Sequence, residues 1–281
     1  MSTEQHNAPS VDLADIRLAA VGVGNMGSAI VRAAVHAGVK PSHVTVTNSR
    51  PDSSERAADE LGVAAAPLDE AIAQADVLVL GVKPYQLDDI LTVVGPLLTE
   101  DVLVVSLAAG KELAALEAAL PQNTAVVRCM PNTPVGVGEG VVHYMRGSCV
   151  DDRQDALAHA LFDGSAVVLD LPETQVHALI AAAGSLPAFV FYAIEAMIDE
   201  AVRLGLPRNI ASDAVIQTVR GSTGVLLKSG IHPAIARGNV CSPGGTTAQG
   251  VAALDQHSVR AGLAAAMDAA AEQSRRMARG D

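Results

Sequence analysis

Short apolar runs alternate with amphipathic stretches through the first 170 residues. The runs lie at 16–23, 44–47, 77–80, 103–106, 125–128, 141–144 and 166–169. Between most of them, apolar residues recur at helical spacing, at 26–37, 53–61, 87–91, 112–120 and 152–162. Alternation of this kind predicts βαβ units and a mainly parallel sheet covered by helices. After Asp170 the pattern changes. Residues 173–204 read as one helix, bent near Pro187, with Gly205 and Pro207 as stop signals. Helical spacing resumes at 209–220 and 258–279, and no convincing strand follows residue 170. The expected fold class is therefore α/β: an N-terminal doubly wound, mainly parallel sheet at 16–172, then an all-α domain at 173–281. Residues 1–15, polar and without an apolar core segment, read as a flexible tail and not as a signal peptide.

Composition narrows the class. Apolar residues make up 49% of the 281 residues, yet aromatics are 2% and Trp is absent, so the core is aliphatic. The net charge of −12 argues against nucleic acid and anionic membrane surfaces as partners. Cys129, Cys149 and Cys241 form no CxxC pair and leave an odd count, which fits a reduced cytoplasm and offers no metal site. No apolar run is read as a membrane span. The most apolar helical stretch, 178–198, carries Glu195 and reads as a helix buried in an assembly.

The chemistry begins at "GVGNMG". Gly22, Gly24 and Gly27 form GxGxxG between an apolar strand and an amphipathic helix. The first glycine permits a tight turn, the second lets backbone approach a pyrophosphate, and the third allows close helix–strand packing. The helix N-terminus, with Asn25 and Met26, faces the phosphates. This is a Rossmann-type dinucleotide site. Its second strand ends in Asn48, Ser49 and Arg50 where an NAD-specific site usually places a carboxylate. Arg50 suits a 2′-phosphate, so the expected cofactor is NADPH, with NADH as the alternative.

Three further stretches sit at carboxyl ends of strands, where such sheets bind ligands: "GVKP" at 81–84, "SLAAG" at 106–110 and "MPNTP" at 130–134. Together with "GVGNMG" and "NVCSPGGTTAQG" at 239–250, in this order and spacing, they resemble the pyrroline-5-carboxylate reductase family. The resemblance runs from about Ile16 to the C-terminus. It implies NADPH-dependent reduction of a cyclic imine to proline, and dimers or rings of dimers through the helical domain. It also implies an active site that includes the partner chain's helices. The chain departs from the family in "AGSLPAF", where members commonly read "SGSGPAY", so that Leu186 and Phe189 replace a small residue and a tyrosine. Ala181 stands where members tend to carry threonine.

Matched residue by residue, the resemblance makes Thr247 the candidate to orient or relay the imine proton. Ser242, Gly244, Gly245 and Thr246 become carboxylate ligands, with Asn239 and Glu173 near the substrate. A helix beginning near Thr246 would aim its free N–H groups at that carboxylate. Val82, Lys83, Pro84, Ala108 and Ala109 are expected to line the cofactor cleft. Each position has a plainer reading: a solvated lysine at Lys83, a helix C-cap at Asn239, a first-turn carboxylate at Glu173. A 3-hydroxyisobutyrate-type dehydrogenase is disfavoured because it requires a lysine early in the long helix, and residues 173–204 contain none. A reductase of another cyclic imine and a non-catalytic NADP sensor remain the alternatives.

Overall fold

The structure, a computed structural model, describes residues 11–279. The expected tail at 1–10 lies outside the described residues. Within its remaining part, Leu13 is 3% exposed and belongs to the core, with Val11 packed beside it.

The strands are β1 (Leu18–Val21), β2 (Val44–Thr47), β3 (Ala64–Ala65), β4 (Val77–Leu80), β5 (Leu103–Ser106), β6 (Ala125–Pro131), β7 (Gly140–Arg146) and β8 (Ala166–Asp170). They form one sheet in the order β3-β2-β1-β4-β5-β6-β7-β8. All pairs are parallel except β6–β7, where Met130 faces His143 and Arg128 faces Met145. Six helices cross between them: α1 (Asn25–Ala37), α2 (Pro51–Leu61), α3 (Leu68–Ala73), α4 (Leu87–Val94), α5 (Leu113–Ala118) and α6 (Asp152–Ala160).

Alternating residues of each strand feed two cores, because successive side chains point to opposite faces. Leu18 and Ala20 join α1, α2 and α6 through Ile30, Ala57, Leu157 and Phe162. Ala19 and Val21 join α3, α4 and α5 through Ile72, Leu91 and Leu116. The strand order reverses between β1 and β4, so their carboxyl ends bound the crevice where this architecture takes ligands. The two-residue β3 and the short α3 were not visible in the apolar pattern.

Beyond residue 172 the structure is all helical: α7 (Val176–Leu179), α8 (Leu186–Arg203), α9 (Arg208–Ser229), α10 (Pro233–Asn239), α11 (Thr246–Gln256) and α12 (Val259–Arg279). The long helix expected at 173–204 is interrupted. A 3₁₀ turn (Glu173–Gln175) precedes α7, and a π turn (Ile180–Gly184) follows it. Pro187 has no N–H to offer the Ala183 carbonyl four residues earlier. That carbonyl instead accepts from Asn132 Nδ2 at 3.2 Å. The irregularity thus falls on the turn before the proline. α9 continues to Ser229, nine residues past the sequence expectation, and α10 was not foreseen.

The chain divides into two compact units, residues 1–184 with 272–281, and residues 185–271. In the second unit α8 packs on α9, yet among the described residues only Ala211 and Ala271 are buried. Phe191, Tyr192 and Leu227 are 63%, 77% and 79% exposed. Contrary to the expectation from composition, Glu173–Arg203 does reach the length and hydropathy of a membrane span, with a mean hydropathy of 1.7 and 6% of that window buried.

Candidate functional site

The dinucleotide half is built at the ends of β1, β2 and β4. Gly22 turns the chain with φ +82°, which glycine adopts without strain. Its N–H donates to the Thr47 carbonyl at 2.9 Å, and Gly24 N–H returns to the Gly22 carbonyl at 3.0 Å. A Cβ on Gly27 would stand 2.7 Å from the Gly22 carbonyl oxygen, whereas one on Gly24 would meet nothing within 4 Å. The third glycine is therefore demanded by packing and the second faces open space. The first turn of α1 carries no acidic residue, and no side chain caps it. Its N–H groups remain as anion donors, so the residues fit a pyrophosphate.

Gly81 has the same necessity as Gly27. A Cβ there would meet the Gly22 carbonyl at 2.7 Å, and its N–H donates to Val21 at 2.8 Å. Gly81 lies inside "GVKP" and was not an expected site residue; its place at a strand end beside the glycine loop was the available signal. Val82 packs against Gly22. Lys83 is exposed and opens the 3₁₀ turn Pro84–Gln86, its N–H donating to Gln86 Oε1 at 3.3 Å. Ala108 is buried after β5, and Ala109 follows it half-buried.

Asn48 is more committed than the sequence suggested. Its Oδ1 accepts from Val23 N–H at 2.7 Å, and its Nδ2 donates to the Ser53 carbonyl at 3.1 Å. The side chain thus braces the glycine loop against the start of α2. Ser49 and Arg50 are exposed beside it. Arg50 Nε lies 3.7 Å from Asp52 Oδ1, so a carboxylate does stand near this arginine, two residues along and in the first turn of α2.

Glu173 also has partners. Its Oε1 accepts the Leu113 N–H at 2.9 Å and pairs with Arg128 Nη1, which is nearly buried. Asn132 Oδ1 accepts from Val141 N–H at 2.8 Å while Nδ2 holds Ala183. Asn132 was expected only as part of "MPNTP" at a ligand-binding strand end, and Arg128 and the Leu113 amide were not among the expected site groups. Cys129 is buried, and its thiol is pushed well above the usual range first by desolvation and then by Asp170. It is a core residue and no nucleophile.

In the second unit the expected substrate residues fall in one short stretch. Asn239 closes α10 and is exposed. Gly244 has φ +67°, and Gly245 N–H donates to the Ser242 carbonyl at 3.0 Å. A Cβ on Gly245 would lie 2.4 Å from Ser242 Oγ. α11 then starts at Thr246 with no side-chain cap and no acid in its first turn. The Thr246, Thr247 and Ala248 N–H groups have no intrahelical acceptor, and Thr246 and Thr247 present exposed hydroxyls. The turn offers free backbone N–H groups and hydroxyls, without a basic side chain, a set able to hold an anion.

Known proteins share this arrangement over nearly the whole chain. Residues 173–277 match the family model described as pyrroline-5-carboxylate reductase dimerisation. Residues 17–110 match that of NADP oxidoreductase, coenzyme F420-dependent. The pyrroline-5-carboxylate reductase of Escherichia coli is 36% identical over 263 residues, 92% of this chain and 97% of that one. The chain belongs to the pyrroline-5-carboxylate reductase family. A solved member from Coxiella burnetii superposes with a TM-score of 0.84 at 31% identity, covering 93% of this chain and 98% of that one. A Plasmodium falciparum pyrroline carboxylate reductase, solved with NADP bound, also gives 0.84, at 28% identity over 95% of this chain and 99% of that one. The dimerisation model spans the apolar helices and assigns them to homo-oligomer formation.

Proposed function

We propose that this protein reduces 1-pyrroline-5-carboxylate to L-proline with NADPH. The observation that carries the reading is the 239–250 stretch, where an uncapped, acid-free helix start follows a glycine turn in which Gly244 has no neighbour within 4 Å of a would-be Cβ. The nicotinamide supplies the hydride that the imine carbon accepts. The chain's own residues bind and orient the reactants. Gly244, Gly245 and the first-turn N–H groups of α11 hold the substrate carboxylate, with Ser242 and Thr246 adding hydroxyl donors and Asn239 beside them. Thr247 orients the ring nitrogen or relays its proton. A cyclic imine is basic enough to draw that proton from water, so a hydroxyl suffices and no strong acid is required. Rate then comes chiefly from holding two reactants in register.

On the cofactor side, Gly22, Gly24, Asn25, Met26 and Gly27 take the pyrophosphate, while Ser49 and Arg50 take the 2′-phosphate. Asn48 fixes the loop, and Val82, Lys83, Pro84, Ala108 and Ala109 line the remaining cleft. We read the enzyme as cytoplasmic and soluble, working as dimers or a ring of dimers, without nucleic acid or membrane. Loss of NADPH absorbance on adding pyrroline-5-carboxylate tests the activity. Rapid oxidation by the wild type with at least a ~100-fold loss in Thr247→Ala is expected. NADPH binding without oxidation would overturn it.

A further inference from the structure

One carboxylate joins three segments of the first unit. Glu173 opens the helical segment, yet its Oε1 faces the sheet. It accepts the N–H of Leu113, the first residue of α5, directly after the loop holding Ala108 and Ala109. It also pairs with Arg128 on β6, two residues before "MPNTP". Arg128 is 4% exposed at its side chain and Glu173 30%.

His143 adds a third element. Met130 faces His143 and Arg128 faces Met145, so Arg128 and His143 are diagonal neighbours on one sheet face. His143 Nε2 lies 2.9 Å from the Leu171 carbonyl, which only accepts, so Nε2 carries the proton. Nδ1 is then a bare acceptor, and it is buried without a partner, as is the Arg128 Nε donor. Burial of unsatisfied groups on both sides costs stability. A buried pair of this kind is weak evidence for stability as such, since apolar residues of similar volume often serve as well. What it does fix is geometry. His143 holds Leu171, Arg128 and Leu113 hold Glu173, and Asn132 holds Ala183.

We propose that Glu173, locked by Arg128 and the Leu113 amide, is a positioning residue that sets the 106–110 and 130–134 loops on the cofactor side, and that it is not a ligand of the imine. The inference rests on the dinucleotide-binding reading of those loops. It is independent of which imine is reduced. It departs from the sequence expectation, which placed Glu173 at the substrate.

The two roles separate in binding measurements on the full-length oligomer. NADPH affinity is read by fluorescence titration without imine, and KM for pyrroline-5-carboxylate by steady-state rates at saturating NADPH. Glu173→Ala and Arg128→Met are each expected to weaken NADPH by about tenfold, with the double variant no worse than about the weaker single, because both break one junction. KM for the imine should move less than about twofold. Glu173→Gln keeps an acceptor for Leu113 N–H and should recover most of the NADPH affinity. Leu113→Pro probes the same bond from the other side. Proline is tolerated at a first helical position, and the preceding residue is already extended with ψ 154°. It should mimic Glu173→Ala while the thermal melt stays cooperative. Unchanged NADPH affinity with a raised imine KM in Glu173→Ala would overturn the proposal, as would additive losses in the double variant. Were the wild type to bind NADPH without oxidising it on the imine, the functional reading would fall, and a weakened NADPH affinity in these variants would still support the junction.

Discussion

The two halves of this chain solve burial differently. The sheet unit hides most of its own apolar residues, with β4 at 0% exposure along its whole length and helices on both faces. The helical unit spans 87 residues from Ser185 to Ala271 and buries two alanines. Its helices form because their local patterns are helical, but the unit itself builds almost no buried core. Each large apolar side chain left in water forgoes ~1.5–3 kcal/mol of burial, so this unit acquires its core from another copy of the chain. The contrast teaches that a helical pattern specifies an element while saying little about what covers it. Apolar patches of this extent mark interfaces.

The largest effect should come from breaking the shared core. Phe191→Asp would place a charge on α8, where Phe191 is 63% exposed in the single chain. Sedimentation should show dissociation, and turnover should fall by at least ~100-fold, because an unpaired charge in an apolar interface costs several kcal/mol. Val93→Asp is the matched control in the sheet unit. Val93 is 53% exposed on α4, and its replacement should leave both mass and rate within about twofold. Equal damage from both would dissolve the contrast between the units.

Next come the glycines, whose reasons differ between the units. Gly81→Ala drives a Cβ to 2.7 Å from the Gly22 carbonyl. Backbone must shift under the phosphate loop, and NADPH affinity should fall by about 30-fold, the equivalent of ~2 kcal/mol of overpacking. Gly244→Ala meets no neighbour within 4 Å but must hold φ +67°. That strain is ~1–2 kcal/mol. It should raise KM for the imine by roughly fivefold and leave NADPH binding unchanged. Isothermal titration with each ligand separates the two.

The sheet unit was legible because strand and helix periods differ so sharply, and because GxGxxG ties residue type to backbone geometry. The places of seven of the eight strands follow from pattern alone, while the start of α11 near Thr246 is read from the glycine turn before it. Less legible were features set by pairing between distant segments. Nothing local to Asn48 says that its amide braces Val23 and Ser53. Nothing local to Glu173 says that Arg128 and Leu113 claim it. The π turn at Ile180–Gly184 was hidden for the same reason: its freed carbonyl is answered by Asn132, about fifty residues earlier. The hydropathy of Glu173–Arg203 shows the limit from the other side, since a membrane span and a dimer helix share it.

A smaller effect is expected at the 2′-phosphate. Arg50 Nε has Asp52 Oδ1 at 3.7 Å, and Arg56 shares the same carboxylate at 3.3 Å. Asp52 competes with a phosphate for Arg50, although all three side chains are exposed and screened by solvent. Arg50→Ala should lower the NADPH over NADH ratio of kcat/KM by about tenfold. Asp52→Asn should raise it by about twofold to threefold, and the gain should shrink with added salt. A ratio insensitive to Arg50 would move the specificity away from this strand end.

The smallest effect tests how rigidly the sheet unit holds its buried polar face. His143 is 1% exposed, and its affinity for protons is lowered, chiefly by desolvation. The Leu171 carbonyl and Glu173 favour the charged ring, while Arg128 opposes it. The net is a neutral imidazole in the fold and an ordinary one, titrating near 6.5, in the unfolded chain. Below that value the unfolded state binds a proton that the folded state refuses, so this residue's contribution is whole above pH 6.5 and declines as the pH falls towards the folded pKa. His143→Gln keeps a donor for Leu171 and cannot titrate. Its melting temperature should fall less steeply than the wild type's between about pH 6.5 and 5, by a few degrees at most. Parallel pH curves would mean that the Leu171 and Glu173 contacts offset desolvation, leaving the folded ring with an ordinary affinity for protons.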